Sequence, residues 1–258
     1  PKLTFPVSGS AAFNGTSDFI QTNDPFSHTN HTIAAWVYAN DTATLKSIFD
    51  NRTIGNDGII FSSFTDEKIL YQIPGQNLFS TIPFTKEWVF VVGTYDGATQ
   101  KLYINGSLDQ SAARVTQIVT ATNARIGKET PVGSSGFWPG NLANVAIWNR
   151  ALTSDEINSV MWKTYEQVST TESNGLQAWY KLSADEVISG TSTATLTTYA
   201  NANSLTFEAP ACVQTALNGL PDITDARLYS ANYDIRVNAD GGNVESLNCV
   251  ETELNAIL

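Results

Sequence analysis

Between Trp88 and Gly106 the chain reads WVFVVGTYDGATQKLYING, a pattern of two β-strands and two tight turns. Leu102 and Ile104 alternate with Lys101, Tyr103 and Asn105, the period-two signature of a half-buried strand. Asp96-Gly97 and Asn105-Gly106 supply the positive φ angles that two-residue hairpin turns require. From His31 to Ala39, Ile33, Ala35 and Val37 alternate with Ala34, Trp36 and Tyr38, so both faces are apolar and the strand is expected to be covered on both sides. Lys46–Phe49, Gly58–Phe64, Lys68–Ile73, Arg125–Gly127 and Leu142–Trp148 read as further strands, punctuated by Gly, Asn, Asp, Pro and Thr. Many short strands with almost no helical periodicity predict an all-β sandwich or jelly roll.

One helix interrupts this series. Thr153-Ser154-Asp155-Glu156 has the capping-box spacing, and Ile157, Val160, Met161 and Tyr165 then fall on one face. The pattern predicts a short helix docked on a sheet. Residues 168–175 (VSTTESNG) read as a polar linker, and Gly175–Leu182 as one more strand. Residues 189–207, rich in Thr, Ser, Ala and Asn, read as a hairpin or loop. At the end, Asn243 is positioned to cap a helix carrying Val244, Leu247, Val250, Leu254 and Leu258. The expected organisation is therefore a sandwich domain over residues 1–167, a linker over 168–175, and an acidic region over 176–258 with extra strands and a terminal helix, serving docking or assembly.

Composition narrows the function. Charged residues are only 15% of the chain, against roughly 25% in an average soluble protein, and Ser, Thr and Asn carry the surface instead. The net charge of −11 is concentrated late: residues 1–165 hold 11 Lys/Arg against 13 Asp/Glu, and residues 166–258 hold 3 against 12. Such a surface repels phosphate backbones and anionic membranes, so neither nucleic acid nor membrane insertion is expected. The chain begins at Pro1 rather than Met, from which an upstream segment is expected. Cys212 and Cys249 are the only cysteines, and one disulfide or two free thiols are both open.

Four ordered motifs carry a resemblance. They are Phe13-Asn14-Gly15-Thr16-Ser17-Asp18-Phe19, Ala35-Trp36-Val37, the stretch from Trp88 to Gly106, and Trp148-Asn149-Arg150-Ala151-Leu152-Thr153 leading to Glu156. Together they resemble the laminin-G-like branch of the concanavalin A-like lectin/glucanase superfamily, over roughly residues 3–165. The resemblance implies a jelly-roll sandwich. Members often carry an Asp-Glu pair just before the Trp-Asn-Arg element, where acids can join a calcium site. Here those positions are Ala143-Asn144. A calcium site built from Asp18, Asn144 and the region of Asn14 is one reading; the other is that Asp18 closes a turn. The tail from Tyr233 to Glu245, with Arg236, Ala239-Asp240-Gly241-Gly242 and then Cys249-Val250, is similar to short segments of bacteriophage virion proteins.

The glycosidase branch of the superfamily carries Glu-x-Asp-x-x-Glu, which supplies nucleophile and acid. That pattern does not occur in this sequence, nor does a Gly-x-Ser-x-Gly elbow or a Gly-rich phosphate loop. No enzyme activity is expected. His28 and His31 in SHTNH read as solvated loop histidines. Phe137 and Trp138, flanked by Gly136, Pro139 and Gly140, are the candidate ligand-binding residues, because exposed aromatics stack on sugar rings. The alternative is that they plug one end of the sandwich. The expected function is a non-catalytic structural or adhesion component on the surface of a phage virion, a fibre, decoration or receptor-binding piece that contacts host surface glycan. Its expected partners are other virion subunits or copies of itself. The competing expectation is a secreted or cell-surface carbohydrate-binding module of a larger bacterial enzyme or adhesin.

Overall fold

A computed structural model of the protein describes residues 10–22, 26, 28–41, 44–52, 57–84, 86–116, 124–129 and 136–182, and five strand segments beyond them. Two antiparallel sheets pack face to face. The larger contains β10 (Ser107–Ala113), β9 (Thr99–Ile104), β8 (Val89–Tyr95), β3 (His31–Ala39), β12 (Pro139–Trp148), β1 (Ser10–Asn14) and β15 (Thr206–Glu208) in that order, and β13 (Leu176–Tyr180) also pairs with β12. The smaller runs β14 (Tyr199–Asn201), β2 (Ile20–Thr22), β11 (Arg125–Ile126), β4 (Lys46–Asp50), β5 (Ile60–Phe64), β6 (Lys68–Ile73) and β7 (Gln76–Phe79). This is the sandwich that the strand pattern predicts.

The core between the sheets gathers Ile33, Ala35 and Val37 from β3, Val89 and Val91 from β8, and Phe49, Phe61, Ile69 and Tyr71 from the smaller sheet. The alternate positions of the larger sheet, Trp36, Phe90, Ala146, Trp148 and Trp179, form a second apolar cluster on its other face. Helix α1 (Ser154–Val160) covers that face with Ile157, Val160 and Met161. The two-sided burial read from β3 thus has a definite cause: one sheet is sandwiched between its partner sheet and a helix. Each indole beneath α1 finds a partner for its N–H, as buried tryptophans generally do. Trp36 donates to the Met161 carbonyl at 3.2 Å, Trp148 to the Glu172 carbonyl at 2.7 Å, and Trp179 to Asn144 Oδ1 at 3.2 Å.

The helix starts where its capping box places it. Thr153 Oγ1 accepts from the Glu156 amide at 3.2 Å, and the Glu156 carboxylate accepts from the Thr153 amide at 2.8 Å. Arg150 donates to both Glu156 oxygens, at 2.9 and 2.6 Å. These Arg150 bonds are the main reason the Glu156 carboxyl is held down to about 2. Glu156→Ala is expected to cost about 1–2 kcal/mol, from the lost cap and ion pair together, measured by denaturant unfolding. A change under about 0.3 kcal/mol would contradict the coupling of cap and ion pair.

The Asn105-Gly106 turn joins β9 to β10 with φ of 49° and 80°, the two positive angles of a two-residue hairpin. The Asp96-Gly97 turn is looser. Three residues link β8 to β9, and Asp96 Oδ1 accepts from the Ala98 and Thr99 amides at 2.9 and 2.7 Å.

Among the later segments, the strand expected over 175–182 is present as β13, and others take different forms. Residues 168–175, read as a linker, form a turn in which Lys163 Nζ lies 2.6 Å from the buried Glu172 carboxylate. The next residues, β13, extend the larger sheet through β12. Within 189–207, β14 and the start of β15 do not form a hairpin with each other. β14 pairs with β2 in one sheet and β15 with β1 in the other. The expected terminal helix is corrected at its start: Val244–Asn248 is a strand, β18, pairing with β17 (Asp234–Ala239), which pairs with β16 (Ile223–Leu228). A short helix has little stability alone, whereas strand pairing satisfies the same backbone groups against a neighbour. Residues 249–258, which would continue that helix, and both Cys212 and Cys249 lie outside the described residues.

Candidate functional site

The residues proposed to hold calcium are not brought together. Asn14 Oδ1 accepts from the amides of Thr16, Ser17 and Asp18, at 2.9, 2.8 and 3.2 Å. Asp18 Oδ2 accepts from the Asn14 amide at 3.0 Å. The two side chains therefore close the β1–β2 turn on each other. Asn14 pairs with Pro139 in the sheet register, and Asn144 lies five residues further along β12. At strand rise that is about 16 Å. Asn144 instead occupies a β-bulge with φ of 47°, a conformation asparagine tolerates, and its Oδ1 is engaged by Trp179 beneath α1. Asp18 is the turn-closing residue, and Asn144 belongs to the helix-covered face. Among the described residues, no group of three or more His, Cys, Asp or Glu side chains is placed to hold a metal ion.

The aromatic pair is also repositioned. Trp138 is fully buried, stacked on Phe84 with ring centroids 6.4 Å apart, and its Nε1 donates to the Tyr38 carbonyl at 3.2 Å. Its backbone amide donates to the Gly127 carbonyl at 2.9 Å, which draws the indole inward. Phe137 is buried too, beneath the Lys128 ammonium, which lies 4.6 Å from its centroid. Neither ring offers an open face for a sugar: Trp138 belongs to the core between the sheets, and Phe137 packs on Phe19 beneath Lys128.

The histidines separate. His31, expected in solvent, is the first residue of β3 and is buried. Its Nδ1 lies 3.0 Å from the Thr29 carbonyl, and its Nε2 lies 2.6 Å from the Tyr71 hydroxyl. A carbonyl can only accept, so Nδ1 carries the proton and Nε2 accepts from Tyr71. Burial is the main influence that lowers the His31 pKa to about 4. His28 is half-buried.

The structure assembles a different polar region on the outer face of the smaller sheet. Ile20, Phe49 and Ile126 point into the core, so the intervening Gln21, Asp50 and Arg125 point away from it. The register aligns Gln21, Arg125 and Asp50 across β2, β11 and β4. Asp50 is fully buried and is clamped by Arg52, whose Nη2 reaches Asp50 Oδ2 at 2.7 Å and Glu129 Oε1 at 3.0 Å. Burial opposes the Arg52 charge, but its bonds to Asp50 and Glu129 outweigh that and raise its pKa. The clamp ties the end of β4 to the segment after β11.

Beside it lies a second group. Lys128 Nζ sits 4.7 Å from the Phe19 ring centroid as well as 4.6 Å from that of Phe137. Arg125 Cζ is 5.5 Å from the Phe19 centroid, and its Nε donates to Gln21 Oε1 at 3.1 Å. The ammonium and guanidinium are thus held over aromatic faces by cation–π attraction. Of these residues only Phe137 was named from sequence as a candidate for binding; Phe19 entered only as the end of a family motif and Arg125 only as the start of a strand. Asp50-x-Arg52 has the spacing of same-face strand neighbours and could have been noticed, but Phe19 and Lys128 are joined only by the fold.

Comparison with known proteins agrees with this architecture. No curated protein matches the chain. Among solved structures, a Bacteroides ovatus protein described as a candidate carbohydrate binding protein superposes with a TM-score of 0.63 at 18% identity, over 81% of this chain and 60% of that one. The chain therefore spans about 60% of that protein's length. A heptameric SAP-like pentraxin from Limulus polyphemus superposes with a TM-score of 0.55 at 14% identity, over 81% of this chain and 94% of the pentraxin chain. At these identities the likeness is one of fold. The Laminin_G_3 family model matches residues 14–158, more than half of the chain. The matched span contains every strand from β2 to β12 and all but the last two residues of α1. The chain belongs to the concanavalin A-like lectin/glucanases superfamily, as a Laminin_G_3 member.

Proposed function

We propose that this protein is a non-catalytic glycan-binding module carried on a bacteriophage particle, as a fibre, decoration or receptor-binding component that contacts host surface glycan. The observation that carries glycan binding is the family itself: residues 14–158 build a lectin-type sandwich. The carbohydrate binding attributed to the Bacteroides ovatus protein of the same fold supports it. The non-catalytic reading rests on the sequence, which lacks the paired-acid motif of the glycosidase branch. Prominent carboxylates also serve structure instead: Glu156 caps α1, Glu172 pairs with Lys163, and Asp50 pairs with Arg52. The virion location rests on the low-charge, Thr- and Asn-rich surface and on the tail segment similar to phage virion proteins, within which β17 and β18 pair.

A glycan array probed with the labelled protein tests the binding, with a response to at least one host-surface glycan expected. A flat array removes glycan binding and leaves the structural role. Mass spectrometry of purified particles tests the location, and particles lacking the chain remove it. A second reading, a carbohydrate-binding module of a larger secreted or cell-surface protein, is favoured by the 60% coverage of the Bacteroides ovatus chain. A linked catalytic domain in the same polypeptide would decide for it.

A further inference from the structure

The geometry points to an anionic-sugar subsite on the outer face of the smaller sheet, in which Lys128 and Arg125 receive a carboxylate or sulfate carried by the glycan. This rests on the glycan-binding reading above and names the class of glycan.

Three observations carry it. First, the two cations have no counter-charge among the described residues. The ion pairs among the described residues engage Arg52, Arg150, Lys163 and Lys181, and neither Arg125 nor Lys128. Two acids lie close by, yet both are occupied. Asp50 is the register partner of Arg125, but its carboxylate is bound by Arg52, and Glu129, next in sequence to Lys128, is bound by the same guanidinium. Arg125 turns the other way, to Gln21 and the Phe19 ring.

Second, the cations are held in place. Phe19 and Phe137, 6.4 Å apart, both approach the Lys128 ammonium, and Gln21 fixes the Arg125 guanidinium through Nε. An ordered cation loses less conformational freedom when it binds than a mobile surface lysine does. Because Nε takes the Gln21 bond, the Nη groups remain for a planar oxyanion.

Third, the environment favours an anion. Burial, and then repulsion from Arg125, lowers the Lys128 pKa. An oxyanion placed between the two groups removes that repulsion. The chain as a whole carries −11, so a polyanion finds little attraction elsewhere on it. All five side chains, Phe19, Gln21, Arg125, Lys128 and Phe137, come from β2, β11 and the segments flanking them, within the family-matched sandwich.

The test is affinity electrophoresis or calorimetry of the full chain with polygalacturonate, dextran sulfate and neutral dextran. Binding to at least one of the two acidic polymers is expected, weakening as salt rises from 50 to about 300 mM; which polymer binds separates a carboxylate from a sulfate. Lys128→Met and Arg125→Gln are each expected to weaken it about tenfold. Lys128→Arg, which keeps the charge, should stay within about threefold. Lys101→Met, which removes a cation from the other sheet, should leave it unchanged. Thermal unfolding within a few degrees of the parent confirms that the variants are folded. Loss of binding in Lys128→Met together with retention in Lys128→Arg establishes the subsite. Binding to neutral glycans only, or acidic binding that survives both Lys128→Met and Arg125→Gln, overturns the subsite and leaves the glycan-binding reading standing. No binding to any glycan, acidic or neutral, overturns both.

Discussion

Replacing Trp138 with alanine is expected to lower the unfolding free energy by about 3–5 kcal/mol, the range for removing a large buried aromatic. The indole is fully buried and stacked on Phe84, so truncation leaves a void where two rings now meet. It also leaves the Tyr38 carbonyl without the indole N–H that it accepts. Chemical denaturation measures the loss directly. The same position discriminates between two roles for this residue. Were Trp138 a sugar-stacking platform, alanine would abolish binding with little effect on stability. The structure requires the reverse: a large loss of stability, and a Trp138→Phe variant that binds as the parent does once folded. A destabilisation below about 1 kcal/mol would contradict the buried placement.

Acid is expected to destabilise the protein well before its carboxylates are protonated. His31 takes up a proton near pH 6.5 in the unfolded chain but only near pH 4 in the folded one. Between these values the unfolded state binds more protons, so stability falls as the pH falls. The contribution is intact above about 6.5, is lost progressively below it, and amounts to about 3 kcal/mol when complete near pH 4. Protonation at Nε2 would also remove the acceptor that Tyr71 uses. The carboxyls of Glu156 and Glu172 are held near 2, so their contributions fade in a lower window, from about 4.5 downward. Denaturant unfolding at pH 7, 6, 5 and 4.5 therefore isolates the histidine. The parent should lose stability across this series, while His31→Gln, already weaker at pH 7, should show a much flatter dependence. An equal slope in both would assign the effect to other groups.

The contrast between His31 and Trp138 shows how much the chain reveals about its own fold. The strands around them were legible because apolar alternation is local: β3, β8 and β12 each bury consecutive side chains on defined faces, and that periodicity is written in seven to ten adjacent residues. The capping box at Thr153 was legible for the same reason, since its two hydrogen bonds span three residues. The surroundings of the two misplaced side chains were misleading. His31 follows a polar Ser-His-Thr-Asn run, yet it begins a central strand and meets Tyr71 from the opposite sheet. Trp138 lies in a Gly-Phe-Trp-Pro-Gly run, the composition of an exposed loop, yet it is buried, with its amide bonded to Gly127, its indole to Tyr38 and its ring stacked on Phe84. β2 was missed because it is three residues long and is held by β11, about a hundred residues later.

The candidate sites follow the same division. Asn14 and Asp18 form a contact within one turn, so turn closure could be read locally. The distance from that turn to Asn144 depends on the β1–β12 register, and register is decided by pairing across more than a hundred residues. The Lys128 site needs Phe19 from one connection and Phe137 from another on either side of one ammonium.

The amino-acid sequence by itself determined that this protein is an all-β sandwich, that one of its strands is buried on both sides, and that a capped helix docks on a sheet. Those features depend on periodicities and hydrogen bonds within a few neighbouring residues. Only the tertiary structure decided which aromatics are core, which carboxylates are already paired, and where two cations stand with no counter-charge among the described residues. Those properties are set by burial and by partners distant in sequence, and they come into being when the two sheets close on each other.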